Sequence, residues 1–298
     1  MPQTYAWLSI AAAVLTMALK AGGYLLTGSV ALLSDALESG VNLLAAGVTL
    51  WMLQVAAQPP DAEHPFGHSK FEYLASAVEG GGIGIAAVGI ALTAWGRLHQ
   101  PVALPALTEG MVLTGLAAAI NGGTAWVLWR AGRRLRSIAL RADAQHLLTD
   151  VWTSMGGLLA LGAIQRTGWL WLDPAIALVL ALHIGVASYR LLKETIAGLV
   201  DTALPPADQA LLKTVLADYA AQGIRFHALR TRGAGRRRFV SVHVLVPGDW
   251  SVQQGHNLCD RLEQDMAHAL SGTAVITHLE PLDDPLSWQD ISLDRSTT

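Results

Sequence analysis

Six stretches of the chain stay apolar for long enough to cross a hydrocarbon core, which takes about 20 residues of helix. They fall at residues 5–26, 30–56, 71–98, 107–129, 138–164 and 169–191, and each is predicted to be a membrane-spanning helix. The first is too long for a secretory signal and lacks its basic start and cleavage site, so it is expected to remain as a span. Polar residues interrupt the second and fifth. Glu38 with Asn42, and His146 with Asp150, each stand four residues apart and so share a helix face one turn apart. From about Thr195 the pattern shortens, and Pro205 and Pro206 mark an exit from the membrane. Beyond them, 207–222 has helical periodicity and 224–232 and 238–246 alternate as strands. An amphipathic helix at 252–270 and a last strand at 274–279 complete the run. That order predicts a small α+β domain with helices on one face of a sheet. The expected division is a transmembrane domain at 1–200, a soluble domain at 201–290 and a polar tail at 291–298.

Composition agrees with a membrane protein. Hydrophobic residues make up 52% and charged residues 14%, against about 25% charged in a soluble domain, and mean hydropathy is +0.38. The net charge of −3 hides an asymmetry. Arg130, Arg133, Arg134, Arg136 and Arg141 surround the fourth connection with no acid among them, whereas the third has only Arg97 and the fifth only Arg166. The positive-inside rule makes the fourth connection cytoplasmic, together with the second connection and both termini. A nucleic-acid patch is set aside for a basic loop this close to two spans. The single cysteine, Cys259, excludes a disulfide framework within the chain and a thiolate-rich zinc site. It is expected to be a packing residue of the amphipathic helix.

Charged groups at membrane depth cost at least ~2.5–3.5 kcal/mol each near the centre, so something must pair with them. Glu38, Asn42, His146 and Asp150 meeting inside the bilayer would make a four-donor site for a divalent cation; polar contacts between helices are the competing explanation. In the second connection, Asp61-Ala-Glu-His64-Pro-Phe-Gly-His68 can fold back so that a carboxylate and two imidazoles converge. Such a set suits zinc, iron(II), cobalt or nickel and suits magnesium or calcium poorly. A solvated loop accounts for the same spacing. The soluble domain carries His227, His243, His256 and His278, and His278-Leu-Glu280 puts two side chains on one strand face; ordinary surface histidines are the alternative. His99, His183 and His268 are read as surface or packing residues. The helical His-Glu-x-x-His signature and a nucleophile motif are both absent from the sequence, so an intramembrane metal hydrolase is not expected.

Three runs together resemble the cation diffusion facilitators. They are Gly28-Ser-Val-Ala-Leu-Leu-Ser-Asp-Ala-Leu-Glu38, Pro59-Pro-Asp61-Ala-Glu-His64-Pro-Phe-Gly-His68-Ser-Lys70 and Arg141-Ala-Asp-Ala-Gln-His146-Leu-Leu-Thr-Asp150. The resemblance implies six spans followed by a cytoplasmic ferredoxin-like (metallochaperone-like) domain. It also implies proton-coupled efflux of a divalent transition metal by a homodimer, with lipids as its surroundings and the inner membrane of a bacterium as its place. It assigns the transport site to Glu38, Asn42, His146 and Asp150, a loop site to Asp61, His64 and His68, and a regulatory site to His227, His243, His256, His278 and Glu280. Glu280 stands where an aspartate is familiar. Glutamate and asparagine also depart from the two aspartates, or histidine and aspartate, familiar in the second span. Zinc is favoured as cargo and regulator, protons are the counter-ion, and iron, cobalt, nickel, cadmium and manganese stay open. Asp35, one turn before Glu38, fits an extra ligand, an approach residue or a packing role. Lys70 and Asp201 resemble a charge pair that joins subunits. A non-transporting sensor or scaffold of the same fold is the rival reading.

Overall fold

The computed structural model of the chain describes residues 2–134 and 138–289. Arg136 of the basic connection and the tail expected at 291–298 lie outside the described residues. The chain divides into two compact units. One comprises the residues up to Trp51 with Ala75–Lys193; the other comprises Met52–Leu74 and the residues from Glu194 onward.

Six helices are long and apolar enough to cross a membrane: α1 (Pro2–Thr27), α2 (Val30–Ala56), α3 (Phe71–His99), α4 (Leu107–Arg134), α5 (Ile138–Thr167) and α6 (Leu172–Leu199). The last outruns its apolar stretch, which ends at residue 191 in the sequence. Hydropathy marks where lipid ends; backbone hydrogen bonding carries the helix on through Lys193 and Glu194. Gly28, at φ +64, turns α1 into α2, a conformation that glycine adopts without a side-chain clash. Ser29 then caps α2, its Oγ accepting from the Leu32 N–H at 3.2 Å. Asp173, at the start of α6, accepts from the N–H groups of Val30 at 2.7 Å and Ala31 at 3.2 Å, a favourable place for a carboxylate at a helix N-terminus. Small residues let α1 and α4 approach closely: a Cβ on Gly110 would collide with Thr27 Cγ2. α4 packs on the other side against α5, through Ala125, Leu128, Ala144 and Leu147.

The second unit holds α7 (Pro206–Ala220), β1 (Arg225–Ala234), β2 (Arg237–Val246), α8 (Val252–Ala269), β3 (Thr273–Pro281) and a 3-10 turn at Pro285–Trp288. The sheet order is β1-β2-β3, with β1 and β2 antiparallel and β2 and β3 parallel. Strand alternation sends Val240, Val242, Val244 and Val246 into one core with Leu212 and Leu216 of α7 and Leu258, Leu262 and Met266 of α8. Cys259 packs in that core as a small apolar residue. A capping box of Ser251 and Gln254 starts α8. The fold is therefore the expected one: six membrane-length helices and then a small α+β domain.

Candidate metal sites

In the first unit, α1, α2, α4 and α5 enclose a cavity of about 150 Å³. Asn42 from α2 and His146 and Asp150 from α5 line it, with Thr16, Ser39 and Asn121 beside them. Three of the four transport-site residues named from the sequence thus face one space. Glu38 is half-buried and is not among the residues lining the cavity. The described residues hold two clusters in which three His, Asp or Glu donors lie within 4.8 Å of one another, and Glu38, His146 and Asp150 do not form a third.

Asp35 is not a free donor here. It is 3% exposed, and its Oδ1 lies 2.7 Å from the Nζ of Lys20, itself 1% exposed. Lys20 also donates to Ser39 Oγ at 2.9 Å, and Ser154 Oγ donates to Asp35 Oδ2 at 2.7 Å. Both carboxylate oxygens are committed, and the charge is neutralised within a link between α1, α2 and α5. Neither Lys20 nor Ser154 is marked by the sequence as a partner of Asp35. One lysine near the end of an apolar span looks like a side chain reaching for the interface, and nothing local reveals a partner on another helix.

The loop cluster is built locally. Asp61 Oδ1 accepts from the backbone N–H groups of His64 at 2.6 Å and Glu63 at 3.0 Å, and Gly67 turns the chain at φ +84. His64 Nδ1 then lies 3.4 Å from Asp61 Oδ1, and His68 Nε2 lies 3.3 Å from Asp61 Oδ2. The His64 N–H lowers the Asp61 carboxyl below its usual range, with help from the two imidazoles. An ionised carboxylate and two imidazoles within 4.8 Å fit a zinc-like cation. His68 is buried, and its Nδ1 has no hydrogen-bond partner.

Beyond this loop, Lys70 Nζ sits 2.9 Å from Asp201 Oδ1, and Arg232 Nη1 is 3.1 Å from the same oxygen. The pair expected to join subunits is closed within one chain. Asp201 is at φ +58 just past α6, a left-handed position that aspartate tolerates, and this swings its carboxylate toward the start of α3. The Lys70 hydrogen bond lowers the Asp201 carboxyl below its usual range, and Arg232 adds to the effect. Its contribution to stability is therefore complete above the ordinary aspartate value of about 3.9 and is lost as pH falls through the lower folded value. The Asp201→Asn variant should unfold at a lower temperature than the parent at pH 7, by a modest margin for a half-exposed pair. The two should converge once pH falls below the lowered folded value of Asp201. Thermal scans in detergent across that range check this; a gap that persists in acid would assign the bond no ionic part.

Register builds the soluble-domain cluster. His227 of β1 stands opposite His243 of β2, which stands opposite His278 of β3, so three histidines form a row on one sheet face. Glu280, two residues after His278, shares that face and joins the row: its Oε2 is 2.7 Å from His227 Nε2, and its Oε1 is 3.2 Å from His243 Nδ1 and 3.4 Å from His278 Nε2. Ala228, at φ +49, marks a bulge directly after His227. The His227 Nδ1 is buried without a hydrogen-bond partner, and nitrogen donors around one carboxylate fit a zinc-like cation. His256 is not part of this group. It is exposed on α8, and α8 packs through Leu258 and Leu262 on the valine face of the sheet, the opposite side from the histidine row.

Comparison with known proteins makes the class explicit. The cation efflux transmembrane domain matches residues 6–200, and the cation efflux protein cytoplasmic domain matches residues 204–282. These define an integral membrane transporter that exports cations. The chain belongs to the cation efflux, or cation diffusion facilitator, family. It is 54% identical over 285 residues to an uncharacterized transporter of Synechocystis, covering 96% of this chain and 92% of that protein. It is 33% identical over 278 residues to the cation-efflux pump FieF of Klebsiella pneumoniae, covering 92% and 90%. A structure of CzrB in its zinc form is 36% identical over 28% of this chain and 93% of that one, with a TM-score of 0.26.

Proposed function

We propose that this protein exports a divalent transition metal, zinc first among them, from the cytoplasm in exchange for protons. The observation that carries the reading is the cavity between α2 and α5 lined by Asn42, His146 and Asp150. An imidazole and a carboxylate suit zinc, and the amide adds a neutral oxygen. Imidazole is the side chain closest to neutrality, so His146 can hold a metal when deprotonated and release it when protonated. Metal binding expels that proton, which couples the two gradients.

The basic connection Arg130–Arg141 supports placing that loop and both termini on the cytoplasmic side of a bacterial inner membrane. In this orientation the cavity opens among the cytoplasmic halves of α1, α2 and α5, from Ser9 to Thr16 and from Ser39 to Ala46. The far half is sealed around Leu32, Leu161 and Ile164, none more than 2% exposed. Such an arrangement suits the cytoplasm-facing member of an alternating-access pair, with Glu38 free to join the donors as α2 shifts against α5. The chain works as a homodimer in lipid. A zinc-like ion held by His227, His243, His278 and Glu280 would favour the transporting arrangement of the soluble domains at 201–290, and one held by Asp61, His64 and His68 would brace the loop.

Purified protein in liposomes with an imposed pH gradient tests the reading. Zinc uptake should collapse when the gradient is dissipated, and each metal taken up should drive a measurable proton flux. Metal binding without flux in either direction would leave a sensor of the same fold.

A further inference from the structure

We propose that Asn121 is a further donor of the transport site, and that its amide widens the range of cations carried to oxygen-preferring ions such as manganese(II) and iron(II). The inference rests on the transport reading above and deepens it. Asn121 is in the middle of α4, is 1% exposed, and lines the same cavity as Asn42, His146 and Asp150. Neither its Oδ1 nor its Nδ2 has a hydrogen-bond partner.

A buried amide with both ends unpaired is an uncommon state, because the polar group has given up water and received nothing. Of its neighbours one turn away on α4, Ala117, Ala118 and Ala125 are apolar and buried, and Thr124 is a buried hydroxyl to which neither end of the amide is bonded. Leucine has nearly the same shape and would pack there without that penalty. The amide is accounted for if the cavity's occupant completes it. A divalent cation takes the Oδ1, leaving the Nδ2 hydrogens to donate to the cation's other oxygen ligands.

Its chemistry sets what that occupant is. His146 supplies nitrogen and Asp150 a carboxylate oxygen, while Asn42 and Asn121 both supply neutral amide oxygens. Four-coordinate zinc is satisfied by a small set of imidazole and carboxylate donors. Manganese(II) and iron(II) accept more oxygens at higher coordination number. Two amide carbonyls in place of a second imidazole or further carboxylates therefore relax the preference for zinc.

Equilibrium competition between zinc and manganese on the detergent-purified full-length chain tests this. The binding that disappears in His146→Ala is counted as the transport site. Asn121→Leu should weaken manganese relative to zinc by tenfold or more. Asn121→Asp, which puts a further carboxylate in place of the amide, should also shift the ratio toward zinc while both ions still bind, and it decides the matter if the leucine variant fails to fold. An unchanged manganese-to-zinc ratio in both variants, in a parent that binds through His146, overturns the inference alone. A parent with no binding that depends on His146 would sink the transport reading and this inference with it.

Discussion

Replacing His146 or Asp150 with alanine is expected to abolish metal-for-proton exchange while leaving a folded protein in the membrane. His146 is exposed to the cavity, and Asp150 is 9% exposed at its wall. The packing of α5 rests on other residues, Leu147 and Ala144 toward α4 and Leu161 and Ile164 toward α2. Truncating either donor removes contacts to the cargo and little of the fold. Changes to groups that merely orient metal ligands already reduce affinity or activity about 10–100-fold, so loss of a ligand should exceed that. Exchange in liposomes should fall by more than about 100-fold, with an unchanged elution profile and thermal midpoint. Retention of even a tenth of the parent rate by both variants would require a site elsewhere in the bundle.

Lys20→Met is expected to be the most destabilising single substitution in the membrane unit. It leaves the Asp35 carboxylate at 3% exposure with no cation beside it. Breaking one side of a buried ion pair costs about 3–5 kcal/mol, which for a unit of this size lowers the thermal midpoint by roughly 10 °C. The double variant Lys20→Met with Asp35→Leu should recover most of the loss, because replacing both charges with apolar side chains is often close to neutral. A methionine variant that melts with the parent would show that Asp35 finds another partner. One consequence bears on transport. With Asp35 neutralised by Lys20, the charge left for a divalent cation near the cavity is that of Asp150 and, when α2 brings it in, Glu38.

Much of this was legible in the chain because it depends on local chemistry. The loop cluster of Asp61, His64 and His68 is legible in the sequence because all three side chains lie on a single turn that Asp61 itself caps. Cys259 was read as packing from its place in an amphipathic pattern, and it is in the valine-faced core. The reading failed where the partner is distant in sequence. The sequence leaves the role of Asp35 open because its two partners are 15 and 119 residues away. Asn121 is silent in the sequence because a lone asparagine among small apolar residues carries no ligand signal until α4 is set against α2 and α5. His256 is placed with the other soluble-domain histidines by the family resemblance, and within one chain α8 holds it on the side of the sheet away from the histidine row.

By itself the sequence determined the six spans, since the thickness of a hydrocarbon core fixes how many consecutive apolar residues a helix needs. It also determined the alternation of the strands and the family to which the chain belongs. Only the tertiary structure decided which polar groups are committed and which face the cavity: Lys20 with Asp35, Lys70 with Asp201 inside one chain, and Asn42, Asn121, His146 and Asp150 around one space. It likewise set the strand register that aligns His227, His243 and His278. The reason is that periodicity specifies which face of an element is apolar, whereas pairing between elements depends on helix rotation and strand register, and these are fixed only when the faces pack.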